Sequence, residues 1–250
     1  MKRFFIEDIG EKDGYCLITQ GEATHMTKVL RMEKGDRLIL MDGRGDRFEA
    51  EIESTAHREV RVRLIRSLPK PASPPVEINL YQALLKSKAM DYLIEKTSEL
   101  GVSRVIPFYS ERTVIKLDEK RTLNKGRHWS EIAKSASKQS GRLTPATISR
   151  PISFQDLISK GKREEGLKVM PWEQEDSKDL KEVLRSYAAR SSFTGIIGPE
   201  GGFAKKEIEE LRDSGFITVT LGERILRAET AAIALVALVQ YEWGGLGVQK

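Results

Sequence analysis

Two segments in the last quarter of the chain carry residue types that could bind a ligand and transfer a proton. The first, IGPEGG at 197–202, places Glu200 among three glycines and a proline. The second, LGERILRAET at 221–230, holds Arg224 and Arg227 beside two glutamates. Glycines let backbone N–H groups approach a ligand closely, a carboxylate can accept a proton, and an arginine can stabilise developing negative charge. Together the segments predict a pocket that could bind the edge of a flat ring.

The glycine pattern is a poor match to phosphate-binding loops. It lacks the Gly-Lys-Ser/Thr ending of the mononucleotide loop and the full dinucleotide spacing, and Glu200 would repel a phosphate. Two plainer interpretations stay open. The glycines could serve only the geometry of a turn, and the arginines could form surface ion pairs, which are common and contribute little to stability.

The runs around these segments predict an α/β domain with a mostly parallel sheet. FTGIIG (193–198) reads as a strand before the first segment, and KKEIEELRDSG (205–215) as a helix after it. FITVTLG (216–222) and ETAAIALVALVQYEW (229–243) flank the second segment in the same way. Alternating strands and helices favour a parallel sheet, and such sheets bind ligands beyond the carboxyl ends of their strands. Both segments are therefore expected at one sheet edge.

Earlier runs extend this pattern toward the middle of the chain. Strands are predicted at VEINLYQAL (76–84), VSRVIPFYS (102–110) and GLKVM (166–170), and helices at KAMDYLIEKTSELG (88–101), HWSEIAKSASKQSG (128–141) and DSKDLKEVLRSYA (176–188). The first of these helices has apolar-face positions at helical spacing, namely Met90, Leu93, Ile94, Thr97 and Leu100. Gly101 fits its C-terminal cap.

The N-terminal part of the chain has a different residue pattern. DRLILMDGRGDRFEAEIEST (36–55) and REVRVRLIRSL (58–68) alternate apolar and polar residues, the period of half-buried strands. The stretch 66–80 contains four prolines and is typical of a linker. We predict a small β-barrel followed by the α/β domain, with the boundary near residue 72.

Composition excludes several classes of protein. The 250 residues are 39% hydrophobic and 32% charged, and the longest apolar stretch, 231–239, is far below the roughly 20 residues of a membrane span. The first residues lack the apolar core and cleavage site of a secretory signal, so a cytoplasmic location is expected. A single cysteine, Cys16, excludes an internal disulfide, and the three histidines offer no pair at metal-ligand spacing.

Positive charge is concentrated in one segment. Residues 84–150 contain 14 Lys and Arg against 7 Asp and Glu, although the whole chain has a net charge of only +5. A local cationic face attracts polyanions, so nucleic acid is the first partner to consider. The alternative is an ordinary solvated surface.

The last predicted helix, 229–243, is apolar nearly all round. A helix without a polar face must be covered on several sides. Two explanations stay open: burial in its own domain, and an interface with a second subunit.

Four ordered pieces of the sequence resemble one family. They are IGPEGGF, LGERILRAETAAIALVALV, SKAMDYLIEKTSELGVSRVIPFYSERTV and HWSEIAKSASKQSGRLTPATI, and they resemble the RsmE-type ribosomal RNA uracil-N3 methyltransferases of the SPOUT superfamily. Near the N-terminus, HMTKVLRMEKGDRLILMDGRGDRF is similar to the PUA-like domain of that family. The similarity runs along nearly the whole chain.

The resemblance implies an architecture and an activity. Residues 1–72 would form a PUA-like β-barrel that binds RNA, and residues 73–250 a SPOUT α/β domain with a C-terminal trefoil knot, dimerising partly through the last helix. The cofactor implied is S-adenosyl-L-methionine. The substrate implied is a specific uridine of small-subunit 16S ribosomal RNA, free or in an assembled subunit, methylated on N3.

The resemblance also assigns residues. Those expected at the cofactor are Met170, Pro171, Ile197, Gly198, Glu200, Gly202, Leu221, Gly222, Ile225 and Leu226. Those expected at the RNA are Lys28, Arg31, Gln139 and Arg142. Lys138 stands where many relatives carry an acidic residue, which leaves any catalytic role of that position open.

The chemistry of the reaction suggests two catalytic residues. Uracil N3 keeps its proton at neutral pH, so a base must remove it or a cation must stabilise the anion that forms. Glu200 is the candidate base and Arg227 the candidate cation. Alternatively, Glu200 only orients Arg227 or caps the following helix, and the arginine anchors RNA.

Two other functions remain open from the sequence. One is an RNA-binding or ribosome-assembly protein that kept the fold and lost the chemistry. The other is a SPOUT methyltransferase that acts on transfer RNA or on another position. The presence of both glycine segments favours an enzyme that binds a cofactor.

Overall fold

A computed structural model describes residues 1–6, 9, 14–43, 45–56, 58–69, 75–188 and 191–246 of the chain. The chain divides into two compact units. The first comprises 1–73 together with 137–144, and the second comprises 74–136 and 145–250. The boundary expected near residue 72 falls within 70–74, outside the described residues, and the grouping of 137–144 with the first unit was not expected from the sequence.

The first unit contains a five-stranded sheet in the order β1-β3-β4-β5-β2. Its strands are β1 Lys2–Phe5, β2 Tyr15–Thr19, β3 Arg37–Met41, β4 Arg47–Ala56 and β5 Glu59–Ser67. β1 pairs with β3 in parallel, and the other pairs are antiparallel. Alternation in β4 and β5 buries Ile52, Val60 and Val62, as the period-2 pattern predicts.

Two short helices connect β2 to β3 in the first unit. Helix α1 spans Gln20–Thr24, and a π-helix follows directly at His25–Val29. Met26, in the π-helix, is fully buried and packs in the same core as Phe4 and Leu38. Neither helix is evident from the sequence, because neither is long enough to display an apolar period. Cys16 is buried in β2.

The second unit contains a six-stranded sheet in the order β11-β9-β10-β6-β7-β8, and every pairing in it is parallel. Its strands are β6 Glu77–Ala83, β7 Arg104–Phe108, β8 Thr147–Ile148, β9 Leu167–Pro171, β10 Ser192–Ile197 and β11 Ile217–Val219. Its helices are α2 Ser87–Glu99, α3 Glu119–Ser140, α4 Phe154–Gly161, α5 Leu180–Ser186, α6 Lys205–Asp213 and α7 Ala228–Trp243. The last residues of α3, 137–140, group with the first unit. The expected α/β architecture with a parallel sheet is confirmed.

Helix α2 forms where its apolar spacing predicts. Met90, Leu93, Ile94 and Thr97 are buried on one face, and the chain leaves the helix through Gly101. Gly101 has a φ of 100°, a left-handed conformation that favours glycine.

Three helices differ from the prediction. Helix α3 begins at Glu119, nine residues before the expected start at His128, because its first half is polar and shows no apolar period. Helix α5 covers only 180–186 and begins after Asp179, whose carboxylate accepts the N–H of Lys181 at 2.7 Å. Helix α4 was not expected; it begins after Ser153, whose hydroxyl accepts the N–H of Asp156.

Helix α7 is covered on one face only. Ala232, Leu235, Val236 and Val239 are buried in the core of the second unit. On the opposite face Leu238 is 44% exposed and Tyr241 is 65% exposed. Within the described chain no helix is long and apolar enough to cross a membrane.

Candidate active site

A pocket of about 1170 Å³ opens at the carboxyl ends of four neighbouring strands of the parallel sheet. Its walls come from the chain segments that follow β6, β9, β10 and β11. In open parallel sheets this edge is where ligands bind, because the connecting segments converge there and leave a crevice. Both glycine segments of the sequence analysis line the pocket.

The structure brings together in one pocket nearly all of the residues that were expected to bind the cofactor or to act in catalysis. The lining includes Pro171, Ile197, Gly198, Glu200, Gly202, Leu221, Gly222, Ile225, Leu226 and Arg227. Met170 differs from these. It is fully buried, does not line the pocket, and packs in a core cluster that includes Phe203 and Ile208.

The first glycine segment is a tight turn pressed against its surroundings. The N–H of Gly202 donates to the carbonyl of Pro199 at 2.9 Å, and Gly202 has a φ of 68°. At Gly198, a Cβ atom would lie 3.1 Å from the ring of Phe203. A larger residue at either position would strain the backbone or displace the ring, so the glycines hold the wall of the pocket in place.

The second glycine segment presents an open apolar wall. Gly222 has a φ of 105°, and its N–H donates to the hydroxyl of Thr220 at 3.1 Å. Ile225 is 86% exposed although it lines the pocket. An apolar side chain this exposed is stabilised when a ligand or another chain covers it. The wall therefore suits an apolar or aromatic part of a ligand.

Glu200 connects the first glycine segment to helix α2. Its Oε1 accepts the backbone N–H of Lys86, the residue before α2, at 3.3 Å. Glu200 does not cap the following helix α6. The N–H of Ala204, the residue before α6, donates to the carboxylate of Glu207 at 2.9 Å, and the side chain of Ala204 makes no capping hydrogen bond. The helix-capping alternative for Glu200 therefore gains no support.

Arg227 directly precedes helix α7. It lines the same pocket as the first glycine segment. Among the described residues, neither Arg224 nor Arg227 takes part in an ion pair within 4.0 Å. The interpretation of these arginines as surface ion pairs thus gains no support from the described part of the chain. Their charge is available to a ligand in the pocket.

One wall of the pocket was missed by the sequence analysis. It consists of Lys86, Ser87, Lys88, Ala89 and Tyr92 at the start of α2. Tyr92 is 52% exposed there. The signal was present, because β6 ends at the same sheet edge as the glycine segments, but the sequence alone does not tell that β6 pairs directly with β10.

A second, shallower cleft of about 640 Å³ lies beside β11. Its carboxylate, Glu175, accepts the hydroxyls of Ser177 and Thr218 at 2.6 Å each, and these hydrogen bonds lower the pKa of Glu175 to about 2. The guanidinium of Arg212 lies over the ring of Trp172 in the same cleft. Because Glu175 is satisfied by the fold itself, it stabilises the structure rather than serving as a base.

A buried polar cluster lies among β6, β7 and the segment before β9. The hydroxyl of Tyr81 donates to Glu164 at 2.8 Å, and Arg104 donates to the same carboxylate at 3.1 Å. Burial and the Glu164 carboxylate raise the pKa of Tyr81. The three groups satisfy one another, so this cluster has no need of a ligand.

The four residues expected at RNA all belong to the first unit. Lys28 and Arg31 are exposed at the end of the π-helix, and Gln139 is exposed near the end of α3. Arg142 is half-buried, and desolvation lowers its pKa to about 10. Arg31 has a φ of 49°, a left-handed conformation that is uncommon for residues other than glycine.

Lys138 has a structural contact of its own. It forms an ion pair with Glu22 of α1, inside the first unit. No group of three or more His, Cys, Asp or Glu side chains that could hold a metal ion occurs in the part of the chain that the structure describes.

Comparison with family models gives a match to both parts of the chain. Residues 72–240 match an RNA methyltransferase domain, and residues 18–65 match an RNA methyltransferase PUA domain. The chain belongs to this RNA methyltransferase family. Its N-terminal domain is therefore PUA-like, in agreement with the resemblance seen in the sequence.

Individual relatives agree with the family assignment. The chain is 31% identical to the ribosomal RNA small subunit methyltransferase E of Bacillus subtilis (strain 168) over 97% of each chain. The Legionella pneumophila protein Lpg2936, solved with its bound cofactor SAM, is 31% identical with a TM-score of 0.89, covering 98% of both chains. The ribosomal RNA small subunit methyltransferase E of Neisseria gonorrhoeae, solved bound to S-adenosyl methionine, is 27% identical with a TM-score of 0.88, covering 99% of this chain and 100% of the other.

Proposed function

We propose that this protein transfers a methyl group from S-adenosyl-L-methionine to N3 of a specific uridine in small-subunit 16S ribosomal RNA. The observation that carries the proposal is the pocket itself. Two glycine segments converge there at the carboxyl edge of the parallel sheet, and they hold a carboxylate, Glu200, and a cation, Arg227, in one cavity. Relatives that match along the full chain are named ribosomal RNA small subunit methyltransferase E.

The pocket has the features that S-adenosyl-L-methionine requires. Its volume is about 1170 Å³. This is slightly more than the roughly 1,000 Å³ of the largest usual small-molecule sites, so the pocket has room for this cofactor. Backbone of Gly198 and Gly222 can approach an adenine edge, and no heavy atom lies within 4 Å of the position that a Cβ of Gly222 would take. The open side chain of Ile225 gives the ring an apolar surface. Pro171, Ile197, Gly202, Leu221 and Leu226 complete the proposed cofactor wall.

The residues of the pocket can perform the proton chemistry. When bound, S-adenosyl-L-methionine supplies an activated methyl group on a sulfonium. Glu200 accepts the N3 proton of the uracil, and Arg227 stabilises the negative charge that develops on the flanking carbonyl oxygens. Lys86 donates its backbone N–H to Glu200 and holds the carboxylate in the pocket. Much of the acceleration comes from positioning the two reacting atoms in line.

The first unit supplies the proposed grip on RNA. Lys28, Arg31, Gln139 and Arg142 belong to it, and its sequence matches an RNA methyltransferase PUA domain. Arg142 retains its charge at neutral pH despite its lowered pKa. A stacked or paired uridine must leave its helix to reach a pocket of this kind, so the contacts to flanking RNA offset part of the unstacking cost.

Helix α3 carries basic residues that also suit a polyanion. Lys120, Arg127 and Lys134 form a stripe at seven-residue steps on one side of the helix, in which Lys134 is paired with Glu131 at 3.1 Å. This stripe lies in the segment 84–150, where the excess of positive charge was expected to attract a polyanion.

The trefoil knot and the homodimer are part of the same proposal. A knot would form as the chain after the two glycine segments threads through, and both segments line one pocket. Threaded chains are rare outside a few families. The dimer is supported by the uncovered face of α7, where Leu238 and Tyr241 are exposed beside Ala234 and Ala237. A second copy would bury this face. Ribosomal RNA as substrate also implies a cytoplasmic location.

Calorimetric titration of the purified protein with S-adenosyl-L-methionine tests the cofactor, and labelled methyl transfer to small-subunit RNA tests the reaction. We expect micromolar binding and one added methyl per RNA, with naked RNA and assembled subunits tried in parallel. The variant Gly198→Arg should abolish binding, because the new side chain fills the pocket. Absence of cofactor binding would favour the noncatalytic RNA-binding protein. Binding without transfer to either substrate would indicate a different RNA or assembly state, and transfer to transfer RNA alone would favour the other SPOUT activity.

A further inference from the structure

The turn at residues 110–113, which follows β7, is fastened to the first glycine segment. The turn is closed by two hydrogen bonds: Thr113 N–H to the carbonyl of Ser110 at 3.0 Å, and Ser110 N–H to the hydroxyl of Thr113 at 2.9 Å. It does not line the pocket. Three separate contacts nevertheless tie residues 108–113 to residues 201–207.

The first contact is made by Arg112. Its Nη1 donates to the carbonyl of Gly201 at 3.0 Å. A Cβ atom at Gly201 would lie 3.6 Å from Cβ of Arg112, so the arginine stem also packs against this glycine. The next N–H, of Gly202, donates to Pro199. Both ends of the peptide between Gly201 and Gly202 are therefore held by hydrogen bonds.

The second contact is a buried carboxylate. Glu207 is only 4% exposed. It accepts the N–H of Glu111 at 2.9 Å, the hydroxyl of Ser110 at 3.0 Å and the N–H of Ala204 at 2.9 Å. One side chain thus joins the turn to the start of α6, directly after the glycine segment. A buried carboxylate with three donors is well satisfied and holds its partners in a fixed geometry.

The third contact is between aromatic rings. Phe108, the last residue of β7, stacks on Phe203 with ring centroids 6.3 Å apart and planes 7° apart. Phe203 in turn borders Gly198 and lines the pocket. The ring stack packs against the glycine segment at Gly198. Arg112 holds the segment at Gly201, and Glu207 holds the chain just after it at Ala204.

We propose that Arg112 is a positioning residue of the cofactor pocket, acting through the carbonyl of Gly201. A peptide between two glycines can rotate at little steric cost, so the free segment would sample several orientations. The hydrogen bond from Arg112 selects one of them before the ligand arrives. Ordering a loop in advance lowers the entropic cost of binding. This inference rests on the proposed function for the identity of the ligand, S-adenosyl-L-methionine.

The test compares Arg112→Ala and Arg112→Lys with wild type, using Arg121→Ala as a matched control. Arg121 is an exposed arginine of the same connection that pairs with Asp118 and does not touch the glycine segment. For Arg112→Ala we expect about a tenfold higher Kd for S-adenosyl-L-methionine, with a matching rise in KM and a kcat within about twofold of wild type. Arg112→Lys should recover most of the affinity, since an ammonium can also donate to a carbonyl.

A measurement without cofactor separates the inference from the proposed function. Hydrogen exchange in the peptide covering residues 196–204 should be faster in Arg112→Ala than in wild type, and unchanged in Arg121→Ala. Equal exchange and equal Kd in Arg112→Ala and wild type would overturn the inference alone. A loss of affinity that comes with a large fall in Tm and no recovery in Arg112→Lys would also overturn it. Absence of cofactor binding by wild type would overturn the proposed function, and the ligand part of the inference with it.

Discussion

The carboxylate of Glu200 accepts the backbone N–H of Lys86 at 3.3 Å, which joins the first glycine segment to the start of helix α2 across the pocket. The backbone donor fixes the position of the carboxylate within the pocket. One oxygen remains for a proton from the substrate. The relationship is what makes the catalytic role of Glu200 testable by conservative substitution.

Glu200→Gln should lower kcat about a hundredfold or more, the usual contribution of a positioned general base. The amide oxygen can still accept the N–H of Lys86, so the glycine segment and the affinity for S-adenosyl-L-methionine should be preserved. Single-turnover methyl transfer and calorimetry measure the two quantities. Near-normal turnover in Glu200→Gln would show that Glu200 has only a structural role, as the hydrogen-bond acceptor for Lys86.

Arg227→Ala should lower kcat by about a hundredfold, the typical loss when one donor to a developing anion is removed. Arg227→Lys should fall between that variant and wild type, because it keeps the charge but not the planar fork. Lys206→Ala, on the exposed face of α6, is the control. If Arg227→Ala instead raised only the Kd for RNA, the arginine would be an anchor for the substrate.

Arg31→Gly should weaken RNA binding without weakening the fold. The φ of 49° at this position suits glycine, so relief of backbone strain opposes the extra entropy of glycine in the unfolded chain. We expect the free energy of unfolding to change by less than about 1 kcal/mol. Loss of one phosphate contact should reduce the slope of log K against log salt by about 0.7 to 0.9. An unchanged slope would remove Arg31 from the RNA surface.

Leu238→Asp should convert the proposed dimer to a monomer, because a charge in a buried apolar interface is strongly unfavourable. Analytical ultracentrifugation measures the mass, which for a single chain is 28.2 kDa. Lys206→Ala, an exposed change on α6 that lowers the net charge by the same single unit, controls for charge alone. Wild-type protein that sediments as a monomer at micromolar concentration would contradict the dimer.

Glu175 should make stability depend on acid pH. Its pKa is about 2 in the folded protein against an ordinary value of 4.5, so its stabilising effect is complete above pH 4.5 and is lost as the pH falls toward 2. Glu175→Gln should lower the free energy of unfolding by about 1 to 3 kcal/mol at pH 7, and the difference from wild type should shrink in acid. Urea unfolding at several pH values measures it, with Glu209→Gln as an exposed control. A difference independent of pH would contradict the argument.

Much of the fold could be predicted from local pattern. Helix α2 follows its apolar spacing and ends at Gly101, and β4 and β5 follow their alternation. The common location of the two glycine segments followed from one rule about parallel sheets. These features depend on residues near one another in sequence, which is why sequence alone suffices for them.

The rest depends on contacts between distant residues. The hydrogen bond from Arg112 to Gly201 spans 89 positions, and no spacing in the sequence predicts it. Met170 and Pro171 were both expected at the cofactor, but neighbouring residues of a strand point to opposite sides of the sheet. Pro171 lines the pocket and Met170 is buried in the core. The grouping of 137–144 with the first unit is likewise a tertiary feature.

Mass spectrometry of nucleosides from small-subunit RNA, incubated with the protein and S-adenosyl-L-methionine, measures the proposed methylation directly. We expect one 3-methyluridine per RNA molecule with wild type, and an initial rate lower by about a hundredfold or more with Glu200→Gln. Methylation at carbon 5 or on the ribose, or no methylation of either naked RNA or assembled subunits despite clean cofactor binding, would contradict the proposed function.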